Sequence, residues 1–190
     1  MKHQKFFLIS LIFLSILMQF QCNVLQRRNG NSGSSQEEAL AKADISGFLP
    51  NTIKGTLFFN LVEERGMVIS GEIAGLLPDS SYALHIMNGT CDSTDSLSDF
   101  DPGNAGKHGP PWLSPSQHRA GILPNITANG DGKAQIEISA PCLDAVPGSS
   151  FSVLNHILVI FSGPDNYQTG PAGQKIACGK ITAATPESIK

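Results

Sequence analysis

Beyond residue 20, no stretch of this chain carries a helical period. Its apolar residues come in short bursts between turns rich in glycine, asparagine and proline, and that pattern belongs to strands. Residues 54–62 suit a pleated surface, Glu63-Glu64-Arg65-Gly66 turns the chain, and 67–73 begins a second strand. Residues 82–87 form a third. Further on, 122–128 and 134–139 flank Asn129-Gly130-Asp131-Gly132, a strong hairpin turn because glycine and asparagine accept positive φ. Residues 156–161 and 175–182 complete the set. Many short strands, long polar loops and 12 prolines predict an all-β antiparallel sandwich or barrel.

The N-terminus sets the compartment. Lys2 and Lys5 precede an almost unbroken apolar run over 6–20, too short to span a bilayer but fitting the apolar core of an export signal. Residues 1–21 are therefore read as a signal peptide. Cys22 follows at once and reads as the acylated N-terminus of a lipoprotein, anchored on the periplasmic or outer face; plain secretion is the alternative. Residues 22–43, with Arg27-Arg28-Asn29-Gly30-Asn31-Ser32-Gly33-Ser34-Ser35, read as a flexible tether, leaving 44–190 as one domain with its own core.

Without Lys2 and Lys5, 11 basic residues face 16 acidic ones, a balance of −5. That argues against a general affinity for nucleic acid or anionic lipid. Four cysteines stand at 22, 91, 142 and 178. Export favours a disulfide, and with Cys22 acylated one of the other three is odd; spacing alone does not say which.

At this point the residues resemble a family. Gly71-Glu72-Ile73-Ala74-Gly75-Leu76 with Tyr82-Ala83-Leu84-His85-Ile86 resembles the approach to the copper site of copper/zinc superoxide dismutases. Phe100-Asp101-Pro102 through Lys107-His108-Gly109-Pro110 resembles their metal-binding loop. Gly121-Ile122-Leu123-Pro124-Asn125 resembles the next stretch, and Ala172-Gly173-Gln174-Lys175-Ile176-Ala177-Cys178-Gly179 the C-terminal signature. The ordered set spans roughly 53–183. The resemblance implies an eight-stranded Greek-key β-barrel with long loops and a metal site on its outside. It implies a Cys91–Cys178 disulfide, which leaves Cys142 as a buried, inert thiol. It also implies the homodimers common in the family, although nothing in the sequence marks an interface.

Dismutases of this family hold copper with four histidines, one shared with zinc, and zinc with that bridge, two more histidines and an aspartate. The mature chain has His85, His108, His118 and His156, too few for a complete site. His85 matches the first copper ligand. The second falls on Met87, the bridging histidine on Asp99 and the last copper ligand on Phe161. On the zinc side His108 is retained, the next ligand falls on Arg119 with His118 one residue early, and the aspartate is Ile122. Lys175 stands where the family guides its anion with arginine, and Asp165 matches a carboxylate that orients the metal histidines; with few ligands left, it reads as a loop cap.

The resemblance therefore implies a dismutase-like domain that is not an active dismutase, binds no resident cofactor and serves as a scaffold for a macromolecular partner. Two alternatives remain. His85 and Met87 share a strand face and form a histidine–thioether pair suited to one Cu(I). Alternatively, His108, His118 and Asp99 make a rearranged metal site, a ligand set suited to zinc or iron, with dismutase activity retained; one copper or one zinc ion is the cofactor these alternatives allow. Trp112 is either an exposed binding anchor or a loop aromatic packed on the barrel.

Overall fold

The computed structural model describes residues 39–50, 52–93, 97–114 and 116–185. The residues read as a signal peptide, most of those read as a tether, and Cys22 lie outside the described residues. Nine strands follow in order: β1 (Ala39–Gly47), β2 (Lys54–Val62), β3 (Gly66–Ala74), β4 (Ser81–Tyr82), β5 (Leu84–Met87), β6 (Ile126–Thr127), β7 (Lys133–Ser139), β8 (Ile157–Phe161) and β9 (Lys175–Ala183). Among the described residues there is no helix. Seven strands form one antiparallel sheet in the order β5-β8-β9-β1-β2-β3-β7, and β4 pairs with β6. β4 and β5 are separated only by Ala83 and continue one path, which gives the eight-strand count expected of the barrel.

The alternation expected of half-buried strands is clearest in β7, where Ala134, Ile136 and Ile138 are buried and Lys133, Gln135 and Glu137 face solvent. Those outward groups meet β3 and the turn before it: Lys133 with Glu72 at 3.1 Å, Gln135 with Glu72, and Glu137 with Arg65 at 2.8 Å. The main core takes Leu57, Phe59, Ile69, Ile73, Leu84 and Ile86 among its largest members. At the hairpin turn, Asn129 Oδ1 accepts from the backbone N–H groups of Asp131 and Lys133, and Gly132 takes a φ of 71°.

β1 corrects the expected boundary. Residues 39–43, assigned to the tether, belong to a strand held between β2 and β9. Ala39, Ala41, Ala43 and Ile45 point inward and the residues between them are polar or exposed. Small side chains fit here because Leu57 and Phe59 on β2 fill the same interior. Across the sheet Ala39 pairs with Asn60, Asn60 with Val68, and Val68 with Ser139, so these four residues form one row from β1 to β7.

β8 is buried on both faces. Leu158 and Ile160 enter the main core, while Ile157 and Val159 join Met87 and Cys178 in a second cluster, against which Phe48, Cys91, Leu97 and Phe161 pack. The Cys91–Cys178 disulfide, with an S–S distance of 2.04 Å, ties the loop after β5 to β9 over this cluster. Cys142 is also disulfide-bonded, which corrects the reading of it as an inert free thiol. No described cysteine is free.

Candidate functional site

Strand alternation puts Leu84 and Ile86 of β5 in the core and His85 and Met87 on the opposite face. The long loop between β5 and β6 and the loop between β8 and β9 fold over that face. A knot of backbone bonds fixes the first: Phe100 N donates to Ile86 O at 2.9 Å, Gly121 N to Phe100 O at 2.7 Å, and Ile86 N to Gly121 O at 2.8 Å. Gly121 is required by this close approach, since a Cβ there would lie 2.1 Å from Ile86 O. The second loop is held by a reciprocal pair, Asp165 N to Asn125 Oδ1 at 2.8 Å and Asn125 Nδ2 to Asp165 O at 2.9 Å.

Between the loops lies a buried polar network. His85 is fully buried; its Nδ1 meets Asp99 Oδ1 at 2.9 Å and its Nε2 meets Asp165 Oδ2 at 2.8 Å. His108 Nε2 lies 2.7 Å from the same Asp165 oxygen, and Arg119 donates to Asp99 Oδ2 at 3.1 Å. Asp165 Oδ1 also accepts the backbone N–H of Tyr167. Among the described residues no buried side-chain nitrogen or oxygen lacks a partner.

Two carboxyl groups, one guanidinium and two imidazoles thus share one buried cluster, with both ring nitrogens of His85 engaged by carboxyl oxygens. Burial alone would push the Asp99 carboxyl up. The hydrogen bond and charge of His85, joined by Arg119 and His108, outweigh it and hold Asp99 below the ordinary carboxylate value.

Residues 53–181 match the family model described as copper/zinc superoxide dismutase. The chain belongs to that family. Among the curated members it resembles are superoxide dismutase [Cu-Zn] 1 of Aquifex aeolicus, 34% identical over 126 residues (61% of this chain, 73% of that protein), and the superoxide dismutase-like protein YojM of Bacillus subtilis, 31% identical over 129 residues (63% and 64%). Among solved structures, a superoxide dismutase-like protein from Bacillus subtilis aligns with a TM-score of 0.62 at 27% identity, covering 76% of this chain and 97% of that one. The clock protein EA4 shares the fold, with a TM-score of 0.64 at 24% identity, covering 82% and 100%.

Set against the copper/zinc superoxide dismutase pattern, the retained residues do not fit the family's two-metal centre. Both ring nitrogens of His85 are already engaged by carboxyl oxygens, Asp99 on one side and Asp165 on the other. Arg119, at a zinc-ligand position, brings a cation to Asp99, at the bridging position. Met87 packs in the second apolar cluster with Ile157 and Val159, and Phe161 rests against it. His118 does not join His108 and Asp99: its ring nitrogens face the backbone oxygens of Arg119 at 2.9 Å and Leu113 at 3.1 Å. The three described groups close enough to share one ion are His85, His108 and Asp165, whose ligand atoms lie within 4.8 Å of one another.

Lys175 Nζ, at the anion-guiding position, donates to the backbone oxygen of Ser93 at 2.8 Å. His156 stacks on Phe100 with ring centroids 4.1 Å apart, away from the network, and burial lowers its pKa. Trp112 is 69% exposed and meets Tyr167 edge-on.

Two residues matter more to the folded site than their positions in the sequence suggest. Asp165 caps its loop through Tyr167 N–H, but it is also the hub joining both histidines. Arg119, by position a lost ligand, neutralises Asp99. The sequence does carry a signal for this pair, since opposite charges replace two histidines of one site.

Proposed function

We propose that this chain is an exported, dismutase-like domain that does not turn over superoxide and serves as a scaffold for a macromolecular partner. The observation that carries this reading is the closed network in which Asp99 and Asp165 engage both ring nitrogens of His85 and Arg119 pairs with Asp99. Dismutation needs a metal that cycles between two oxidation states in a fixed ligand set. Here the family's copper positions hold one histidine engaged by carboxyl groups on both sides, a packed methionine, a salt-bridged aspartate and a phenylalanine. The anion-guiding cation is tied to a loop carbonyl. Export is supported by the leader and the disulfides. An exposed tryptophan beside an apolar groove supports the scaffold role.

The test is reconstitution of the purified protein with copper and zinc, followed by a superoxide decay assay. A rate no faster than that of the same copper free in solution is expected. A rate well above it overturns the reading.

The spacing of His85, His108 and Asp165 favours a second reading, a single zinc-type ion held by two imidazoles and a carboxylate. Such an ion competes with the protons of the network. Equimolar zinc uptake that is lost in Asp165→Asn and weakens as pH falls would select this second reading.

A further inference from the structure

The large sheet has two edges, and the fold treats them differently. At β5 the long loop closes the edge: Phe100 N donates to Ile86 O, Ile86 N to Gly121 O, and Leu123 N to Leu84 O. β7, at the other edge, has no such cover among the described residues. Just beyond β7, Ala140 N donates to Met67 O of β3. Antiparallel bonding alternates along a strand, so Ile138, Ile136 and Ala134 also turn their backbone groups to β3, while Ser139, Glu137, Gln135 and Lys133 turn theirs away. Lys133 is capped on that side, since Asn129 N donates to Lys133 O and Lys133 N donates to Asn129 Oδ1. Among the described residues Gln135, Glu137 and Ser139 have no backbone partner there.

Proteins commonly blunt an open edge with a proline, a bulge or an inward-pointing charge. β7 has none of these. It contains no proline, its register with β3 is unbroken, and its inward side chains are Ala134, Ile136 and Ile138. Such a row of donors and acceptors is a template for another extended strand, and the side chains select which one. A second β7, related by a two-fold axis at Ile136, would set Gln135 of each copy against Glu137 of the other. Four N–H···O bonds then close between the copies, and each side-chain amide faces a carboxylate. Lys133 stands diagonally across from the same Glu137, within reach of a long side chain. An axis at Glu137 would instead oppose two carboxylates, and one at Gln135 would need the backbone of Lys133, which Asn129 already holds. β7 complements itself about Ile136.

We propose that β7 is a self-association edge, at which two copies of this chain join antiparallel through Gln135 and Glu137 into one continuous sheet.

The experiment uses the full chain, purified after export. Sedimentation over a concentration series is expected to show a reversible monomer–dimer equilibrium. Amide exchange is expected to slow at Gln135 and Glu137 as the dimer forms, while Ala134, Ile136 and Ile138, bonded within each copy, exchange slowly at every concentration. A chain that stays monomeric, or a dimer that leaves the Gln135 and Glu137 amides unchanged, overturns the proposal. Gln135 faces solvent and tests the register without touching the core. Gln135→Lys is expected to tighten the dimer several-fold and Gln135→Glu to loosen it several-fold, because each change acts twice against Glu137. Equal loosening by both, or no change in either, overturns the register. Gln135→Pro removes an edge N–H that β3 does not use, and is expected to abolish the dimer with the fold retained. A dimer that persists in folded Gln135→Pro overturns the pairing.

Discussion

Arg119 reaches Asp99 at 3.1 Å, and both stand where copper/zinc superoxide dismutases carry histidines. The pair does in part what the metals do in the relatives: it gives the loop between β5 and β6 a charged anchor beneath His85. Removing Arg119 leaves the buried Asp99 carboxyl without its guanidinium partner. Arg119→Ala is expected to cost about 1–3 kcal/mol, the lower end because the guanidinium is partly exposed. Adding Asp99→Asn should recover part of that loss. Urea denaturation of both single variants and the double variant measures the coupling, and strictly additive losses would deny it.

The depressed Asp99 carboxyl makes stability depend on acid. Below the unfolded value, about 4, the unfolded chain binds a proton that the folded chain resists, so this contribution is complete above about pH 4 and is lost as pH falls through the folded value. Asp99→Asn is expected to be less stable than the parent near neutrality and to show a flatter decline below about pH 4. Denaturation midpoints across that range decide the matter.

His156 acts in a different window. Burial against Phe100 disfavours its charged form, so the folded pKa lies below the unfolded value of about 6.5. Its neutral state imposes no penalty above that pH, and stability falls as pH drops below it because only the unfolded chain readily takes the proton. His156→Phe should remove this mild acid loss while leaving the Asp99 window in place.

Gly121 is expected to tolerate no side chain. A methyl group there would sit 2.1 Å from Ile86 O and break the backbone knot that carries Asp99 and Arg119 to the site. Gly121→Ala should cost about 2–4 kcal/mol and speed amide exchange at Ile86 and Phe100. Retained protection at those amides would refute it.

The Cys91–Cys178 bond closes a loop with a sequence separation of 87. In the chain-entropy model that is worth about 4–5 kcal/mol. Replacing both cysteines by alanine should approach that loss and loosen the strip formed by Ile157 and Val159, which a fall in melting temperature together with increased dye binding would register.

Much of the barrel is legible in alternation and turn chemistry. β2 matches the expected strand over 54–62, and β3, β8 and β9 differ only at their ends, because large β-branched and aromatic residues mark them. β1 escapes such a reading because its inward positions are mostly alanine, and only the neighbouring Leu57 and Phe59 explain why small residues belong there. The strand expected over 122–128 shrinks to Ile126–Thr127, since the preceding residues serve the loop that closes over His85. At the site, counting imidazoles identifies what has gone. It does not identify what has taken their place, because an ion pair between residues 20 apart is a property of the folded loop. The state of Cys142 is hidden for the same reason.

On the proposed reading the domain also matures unaided. His85, Asp99, Asp165 and Arg119 are all encoded in the one chain, so on that reading the centre closes with no loading step. The abundance of the domain should then not track the copper or zinc content of its surroundings.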